Sequence, residues 1–300
     1  MNQLKTVLLL GVLSAALIAV GGLVSPGALG LFLVLAIAMN VGAYLWSDRL
    51  VLRMHGAREV SPAESPRLHA IVGELCGLAG LPRPRVCLIE DVHANAFATG
   101  RGPKRAAVAV TTGLLQILDD RELRGVLAHE LAHVKNRDIL VGTVAATLAA
   151  VITHAAQALG FASMFGGNRD EEGSGAGGLA FMFLAPIGAM LVQMGISRSR
   201  EFLADGAGAR MSGDPLALAS ALEKLQASAE VVPPEAPVPA TASLFIVSPF
   251  GGVGPAVMRW FSTHPPAEER IQRLRALATE MRSPAFAPRQ GGMASSRLVR

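Results

Sequence analysis

Charge is scarce in this chain of 300 residues: Asp, Glu, Lys and Arg make up 17%, against about a quarter in ordinary globular proteins. With 51% hydrophobic residues and a mean hydropathy of +0.42, that rarity excludes intrinsic disorder and a protein that coats nucleic acid. Cysteine is nearly absent. Two residues, Cys76 and Cys87, build no disulfide framework, and they lack CxxC spacing. They read as small buried hydrophobes in a reducing compartment. Aromatic residues are 5%, with Tyr44 the single tyrosine. The net charge of +4 is small, so where Lys and Arg stand around apolar stretches matters more than their sum.

Long uncharged sequence is what the chain has in abundance. No charge lies between Lys5 and Asp48, a run of 42 positions, enough for two membrane helices of about 20 residues each. Turn formers at Gly21-Gly22, Ser25-Pro26-Gly27 and Gly30 divide it into expected spans at 7–24 and 31–46. Lys5 makes only a weak signal-peptide start and no small-x-small cleavage site follows, so an uncleaved hairpin is expected. Tyr44 and Trp46 stand where an interfacial aromatic belt would lie. Two further uncharged regions, 139–168 and 173–197, are each long enough to span; the first carries His154. Residues 47–138 hold thirteen Lys or Arg, whereas the link 166–177 has one Arg against three acids. The excess of cations on one side predicts four spans, with both termini and the 48–138 segment in the cytoplasm.

The remaining segments alternate between helix and strand signals. Residues 61–79 have helical apolar spacing, with Ser61 and Glu64 as a capping box. Strands are expected at 85–89, 94–99 and 106–111, with GRGPK at 100–104 as the turn. A short helix follows at 114–118 and a longer one from Asp119-Asp120. Helices are also expected at 197–211, at 215–227 capped by Asp214, and at 265–281. The fold class expected is an integral membrane α+β protein: about four membrane helices and a mostly helical domain with a small β-sheet. Its parts are a membrane hairpin (1–47), a first domain segment (48–138), a second hairpin (139–197), a second domain segment (198–282) and a loose tail (283–300).

The chemistry lies in His129-Glu130-Leu-Ala-His133, an HExxH motif. On a helix, positions i and i+4 share a face, so both imidazoles can reach one Zn²⁺ at about 2.0–2.1 Å. Glu130 sits about 100° round the helix, from where it can reach a water at the metal without binding the metal. Apolar neighbours Leu127, Leu131 and Val134 make this a packed helix, in which an idle His/Glu/His cluster would be costly. Catalytic zinc takes three protein ligands and keeps one open position. Candidates for the third are His93, His154, His264, Glu201 and nearby acids, of which Glu201 is the strongest. It follows the last expected span as closely as HExxH precedes the third of the four, so a membrane hairpin returns both to one interface. Asp205, at i+4 from Glu201, can accept the second N–H of a ligand His and fix its tautomer.

The ordered set Asn95-Ala-Phe-Ala, HELAHVKNRD at 129–138, SRSREFLAD at 197–205 and STHPPAEERI at 262–271 resembles the HtpX-type membrane-bound zinc metalloproteases, related to the CAAX-prenyl endoproteases. The resemblance runs over about residues 1–280 and is far more specific than HExxH alone. It implies a gluzincin-like fold, His129, His133 and Glu201 as ligands of one zinc per chain, and Glu130 as catalytic base. It also implies a site on the cytoplasmic side of a bacterial inner membrane, polypeptide substrates, and proteolytic quality control of membrane proteins under stress. Asn95 resembles the Asn that hydrogen-bonds substrate backbone in gluzincins. With no tyrosine outside the spans, His264 is the candidate oxyanion donor, and the strand with Ala106, Val108 and Val110 is expected to offer its edge to an extended peptide. Arg270 is open between an Asp or substrate partner and a solvated helix face. Two readings compete: an inactive zinc-binding membrane scaffold, and a transporter, weakened because His154 is nearly the only ionisable residue in the spans.

Overall fold

Short runs of small and β-branched residues build a four-stranded sheet. The computed structural model describes residues 29–145, 198–231 and 265–282, with Thr147 and isolated positions between 10 and 27. The strands are β1 (Arg58–Glu59), β2 (Arg85–Ile89), β3 (Ala96–Gly100) and β4 (Ala106–Thr111), in the order β1-β2-β4-β3. β2 runs parallel to β4, while β1 and β3 are antiparallel to their neighbours. Side chains alternate between the two faces. Val86, Ala96, Ala98, Val108 and Val110 face a helical layer, and Cys87, Ile89, Phe97, Ala107 and Ala109 lie against Val51 and Leu52. Both cysteines are buried and free, as their apolar reading requires.

The helices are α1 (Leu29–Met54), α2 (Pro66–Ala79), α3 (Thr112–Ile117), α4 (Asp120–Asn136), α5 (Arg198–Ser212), α6 (Pro215–Val231) and α7 (Ala267–Arg282). α1 is the one helix among the described residues long and apolar enough to cross a membrane, and most of its apolar stretch is exposed. Leu10, Gly11, Ser14, Ala15, Ile18 and Gly22 are also helical. The Asn40 amide of α1 donates to Ser14 Oγ at 2.7 Å and to Leu10 O at 3.3 Å, the kind of bond that ties helices together in an apolar medium. The regions 139–168 and 173–197 lie outside the described residues, apart from a helical start at 139–145.

Two expected starts move. Ser61 and Glu64 do exchange capping-box hydrogen bonds, at 2.8 and 3.3 Å, but they close a turn, and α2 begins at Pro66. A residue before proline is pushed out of the helical region, and Ser65 lies outside it at φ −138° and ψ 68°. The strand expected from residue 94 begins at Ala96. α1 runs past Trp46 to Met54 because no breaker intervenes before Gly56.

α4 is the central helix, against α2, α5, α6 and β3. Asp119 caps it, with Glu122 returning the bond. Its buried face carries Leu123, Val126, Leu127, Leu131 and Val134, the i, i+3, i+4 stripe of a core helix.

Candidate active site

α4 presents His129, Glu130 and His133, and α5 brings Glu201 and Asp205 to the same place. All except His133, which is partly open, are buried. His129 Nε2 lies 3.2 Å from His133 Nε2 and 3.6 Å from Glu201 Oε2, and His133 Nε2 lies 3.5 Å from Glu201 Oε1. Bonds of about 2.0–2.1 Å at tetrahedral angles would separate donor atoms by about 3.3–3.4 Å. The three donors therefore form a cluster able to hold one metal ion.

The second ring nitrogens fix the direction of the lone pairs. His129 Nδ1 is 2.9 Å from Asp205 Oδ1, and His133 Nδ1 is 3.1 Å from Asp138 Oδ2. An Nδ1–H donated to each carboxylate leaves both Nε2 lone pairs aimed at each other and at Glu201. Only a cation satisfies that convergence. Burial works against a charged His133, but Glu201 and Asp138 outweigh it and raise its pKa to about 9.

Asp138 reaches His133 because Arg137, at φ 57°, is left-handed and turns the chain back at the end of α4. Asp205 is held in turn by Arg270 of α7, whose Nε and Nη2 donate to its two oxygens at 2.8 and 2.7 Å. Burial pushes the Asp205 carboxyl up, yet the guanidinium and His129 hold it far below the usual range. Arg270 is 1% exposed. Of its two open readings, the structure selects pairing with an Asp over a solvated face.

Glu130 points toward β3. Its Oε2 accepts the Ala98 N–H at 2.8 Å. Burial pushes its pKa up from the ordinary carboxylate range, against His129 and His133. The Ala98 N–H faces away from β4, so the outer edge of β3 runs along the site. This corrects the expected edge. β4, with Ala106, Val108 and Val110, is paired on both sides and buried, so it has no edge to offer a peptide. Part of the β3 edge is covered, since Thr143 bonds Thr99 Oγ1 at 3.0 Å. Asn95 is buried just before β3, its main chain latched to Thr111 at 2.8–3.0 Å. His264 and His154 lie outside the described residues. His93 pairs with Asp91 and His69 with the Val60 carbonyl, away from the cluster.

Sequence reasoning missed one determinant, Gly208 of α5. A Cβ there would meet the His129 backbone at 2.7–2.8 Å, so only glycine lets α5 approach α4 this closely. Gly208→Ala is expected to lower stability by about 1–3 kcal/mol through overpacking and to weaken metal binding by displacing Glu201. Denaturant unfolding and metal titration of the purified variant measure both.

A helix-borne HExxH with a distant glutamate, each imidazole backed by a carboxylate, defines a metallopeptidase. The profile of peptidase family M48 matches residues 62–278, and the chain belongs to that family. It is 50% identical over 291 residues to "Protease HtpX homolog" of Ralstonia pickettii (strain 12J), covering 95% of this chain and 99% of that one. It is 51% identical over 283 residues to the protein of the same name in Syntrophobacter fumaroxidans (strain DSM 10017 / MPOB), covering 92% and 99%. Among solved structures, S. mikatae Ste24p overlays with a TM-score of 0.47 at 18% identity, over 80% of this chain and 56% of that longer one. The chain is accordingly a metallo-endopeptidase, acting on polypeptides.

Proposed function

We propose that the chain is a zinc endopeptidase embedded in a bacterial inner membrane by about four spans. Its cytoplasmic site hydrolyses misfolded or damaged membrane proteins. The observation that carries the reading is the convergence of His129, His133 and Glu201 on one point, with Asp205 and Asp138 orienting the two rings. Imidazole and carboxylate donors at this spacing suit zinc, with one position left for water or substrate. The exposed apolar face of α1 and the cations clustered in 47–138 support the membrane placement.

When bound, the metal supplies a Lewis acid and lowers the pKa of a water. Glu130 takes the proton of the attacking water on its carboxylate and hands it to the leaving amine. Its raised pKa suits a group that must hold that proton for part of the cycle. The outward N–H of Ala96 and the outward C=O groups of Ala96 and Ala98 pair with an extended substrate, and Asn95 just before that strand extends the contact. His264 is the proposed oxyanion donor. Asp205 and Arg270 keep His129 in the tautomer that leaves Nε2 free.

The test is metal content in the purified full chain with and without Glu201→Ala. The unaltered protein should hold about one zinc, and cleave an unfolded polypeptide in a chelator-sensitive way restored by zinc. Glu201→Ala should fall well below one zinc and lose cleavage. A variant that keeps a full zinc complement would sink the ligand assignment.

A further inference from the structure

On the sheet face opposite α4, the end of α1 and the first two strands line an open cavity of about 790 Å³. Trp46 and Leu50 form its apolar part, and Arg49, Arg53 and Arg85 its basic part, with Glu59 the one acid on its wall. Arg49 and Arg53 lie at i and i+4, one turn apart on a single helix face. Both are exposed, and neither has an ion-pair partner among the described residues. Arg85 gives one nitrogen to Asp48 at 3.1 Å and remains over a third exposed. The cavity opens where the apolar stretch of α1 gives way to charge, just beyond Trp46.

We propose that this cavity binds the headgroup of an anionic phospholipid from the cytoplasmic leaflet, an inference that rests on the membrane placement of α1. The guanidiniums of Arg49 and Arg53 take the phosphate oxygens, as forked donors that match an oxyanion better than lysine. Trp46 and Leu50 lie along the first acyl carbons, where an amphipathic ring is at home at the interface. Glu59 accepts from a headgroup hydroxyl, so a glycerol headgroup fits better than a bare phosphate. Counting the walls with Asp48, three cations face two carboxylates, so a single negative charge completes the balance. Juxtamembrane cations attract anionic lipid generally. What distinguishes this place is an open pocket that joins to an apolar slot two arginines with no ion-pair partner among the described residues.

The full chain, reconstituted in nanodiscs of phosphatidylcholine with one-fifth phosphatidylglycerol, is analysed by native mass spectrometry of co-purified lipid. Expected is a ratio of phosphatidylglycerol to phosphatidylcholine in the retained lipid about tenfold above that of the bilayer, lost in the double variant Arg49→Gln/Arg53→Gln. Because both side chains are solvent-facing, the variant should keep the far-ultraviolet circular dichroism of the parent. Should it not, the single variants Arg49→Gln and Arg53→Gln serve, each expected to lose part of the enrichment. Soluble glycerol 1-phosphate tested against detergent-solubilised protein separates the sources: weak or no binding supports a lipid ligand, and binding as tight as the lipid's overturns it. Equal retention of both lipids, or enrichment unchanged in the variants, also overturns the proposal. Failure of the unaltered chain to enter nanodiscs would instead strike at the membrane placement and take the proposal with it, a result read separately by flotation.

Discussion

Purified Glu130→Gln should retain its metal and cleave an unfolded polypeptide about 10²–10⁴-fold more slowly than the unaltered protein. The amide is nearly the same size and still offers an oxygen to the Ala98 N–H, so the 2.8 Å bond that orients the side chain survives. What it lacks is basicity. Neither imidazole can take over as base, because each Nδ1 faces an aspartate and each Nε2 faces the metal position. The loss should therefore appear in kcat with substrate binding little changed. Equal rates in the two proteins would remove Glu130 from the chemistry and favour a different activating group. Loss of metal together with activity would show that the carboxylate supports the cluster rather than the reaction.

Arg270→Met is expected to destabilise the protein by about 3–5 kcal/mol, the range for breaking a buried ion pair from one side. The methionine fills much of the same volume, so the effect comes from Asp205. Its carboxylate would stay buried with only the His129 N–H to satisfy it. Adding Asp205→Asn should recover most of the loss in denaturant unfolding, since no uncompensated charge then remains. Metal affinity should not recover to the same extent, because asparagine holds the His129 tautomer less firmly than a carboxylate. A single variant within about 0.5 kcal/mol of the parent would mean that water reaches Asp205.

Much of the site was legible because its residues repeat at helical intervals. HExxH sets its own geometry on α4, and Glu201 with Asp205 sits one turn apart on α5 in the same way. What was not legible depends on chain reversal and close approach. Asp138 was open in the sequence between closing the helix and supporting the site; five residues after His133 and off its helical face, it reaches the ring only because Arg137 takes a left-handed conformation that arginine rarely adopts. Gly208 carries no signal in sequence, since its role is the absence of a side chain against the His129 backbone. Arg270 had a readable clue: it lies on the stripe with Leu274, which is buried like Ile271 beside it, and an arginine on an apolar stripe asks for a buried acid. The sheet shows the limit most plainly. Composition marked Ala106–Thr111 as poor in charge and β-compatible, and that strand is one of the two inner ones. The poorer strand, β3, with a glycine at its end, is left outermost beside Glu130.

The continuity of α1 into the sheet has a mechanical consequence. Between Trp46 and Leu52 the helix rises about 9 Å, at about 1.5 Å per residue, and Leu52 is already locked against Phe97 and Cys87. No hinge separates the exposed apolar rod of α1 from the plate beneath the reactive cluster. With α1 in the bilayer as proposed, the standoff of that cluster from the membrane is a built-in length, and a membrane-anchored polypeptide would be cut only where enough slack chain leaves the membrane to cross it.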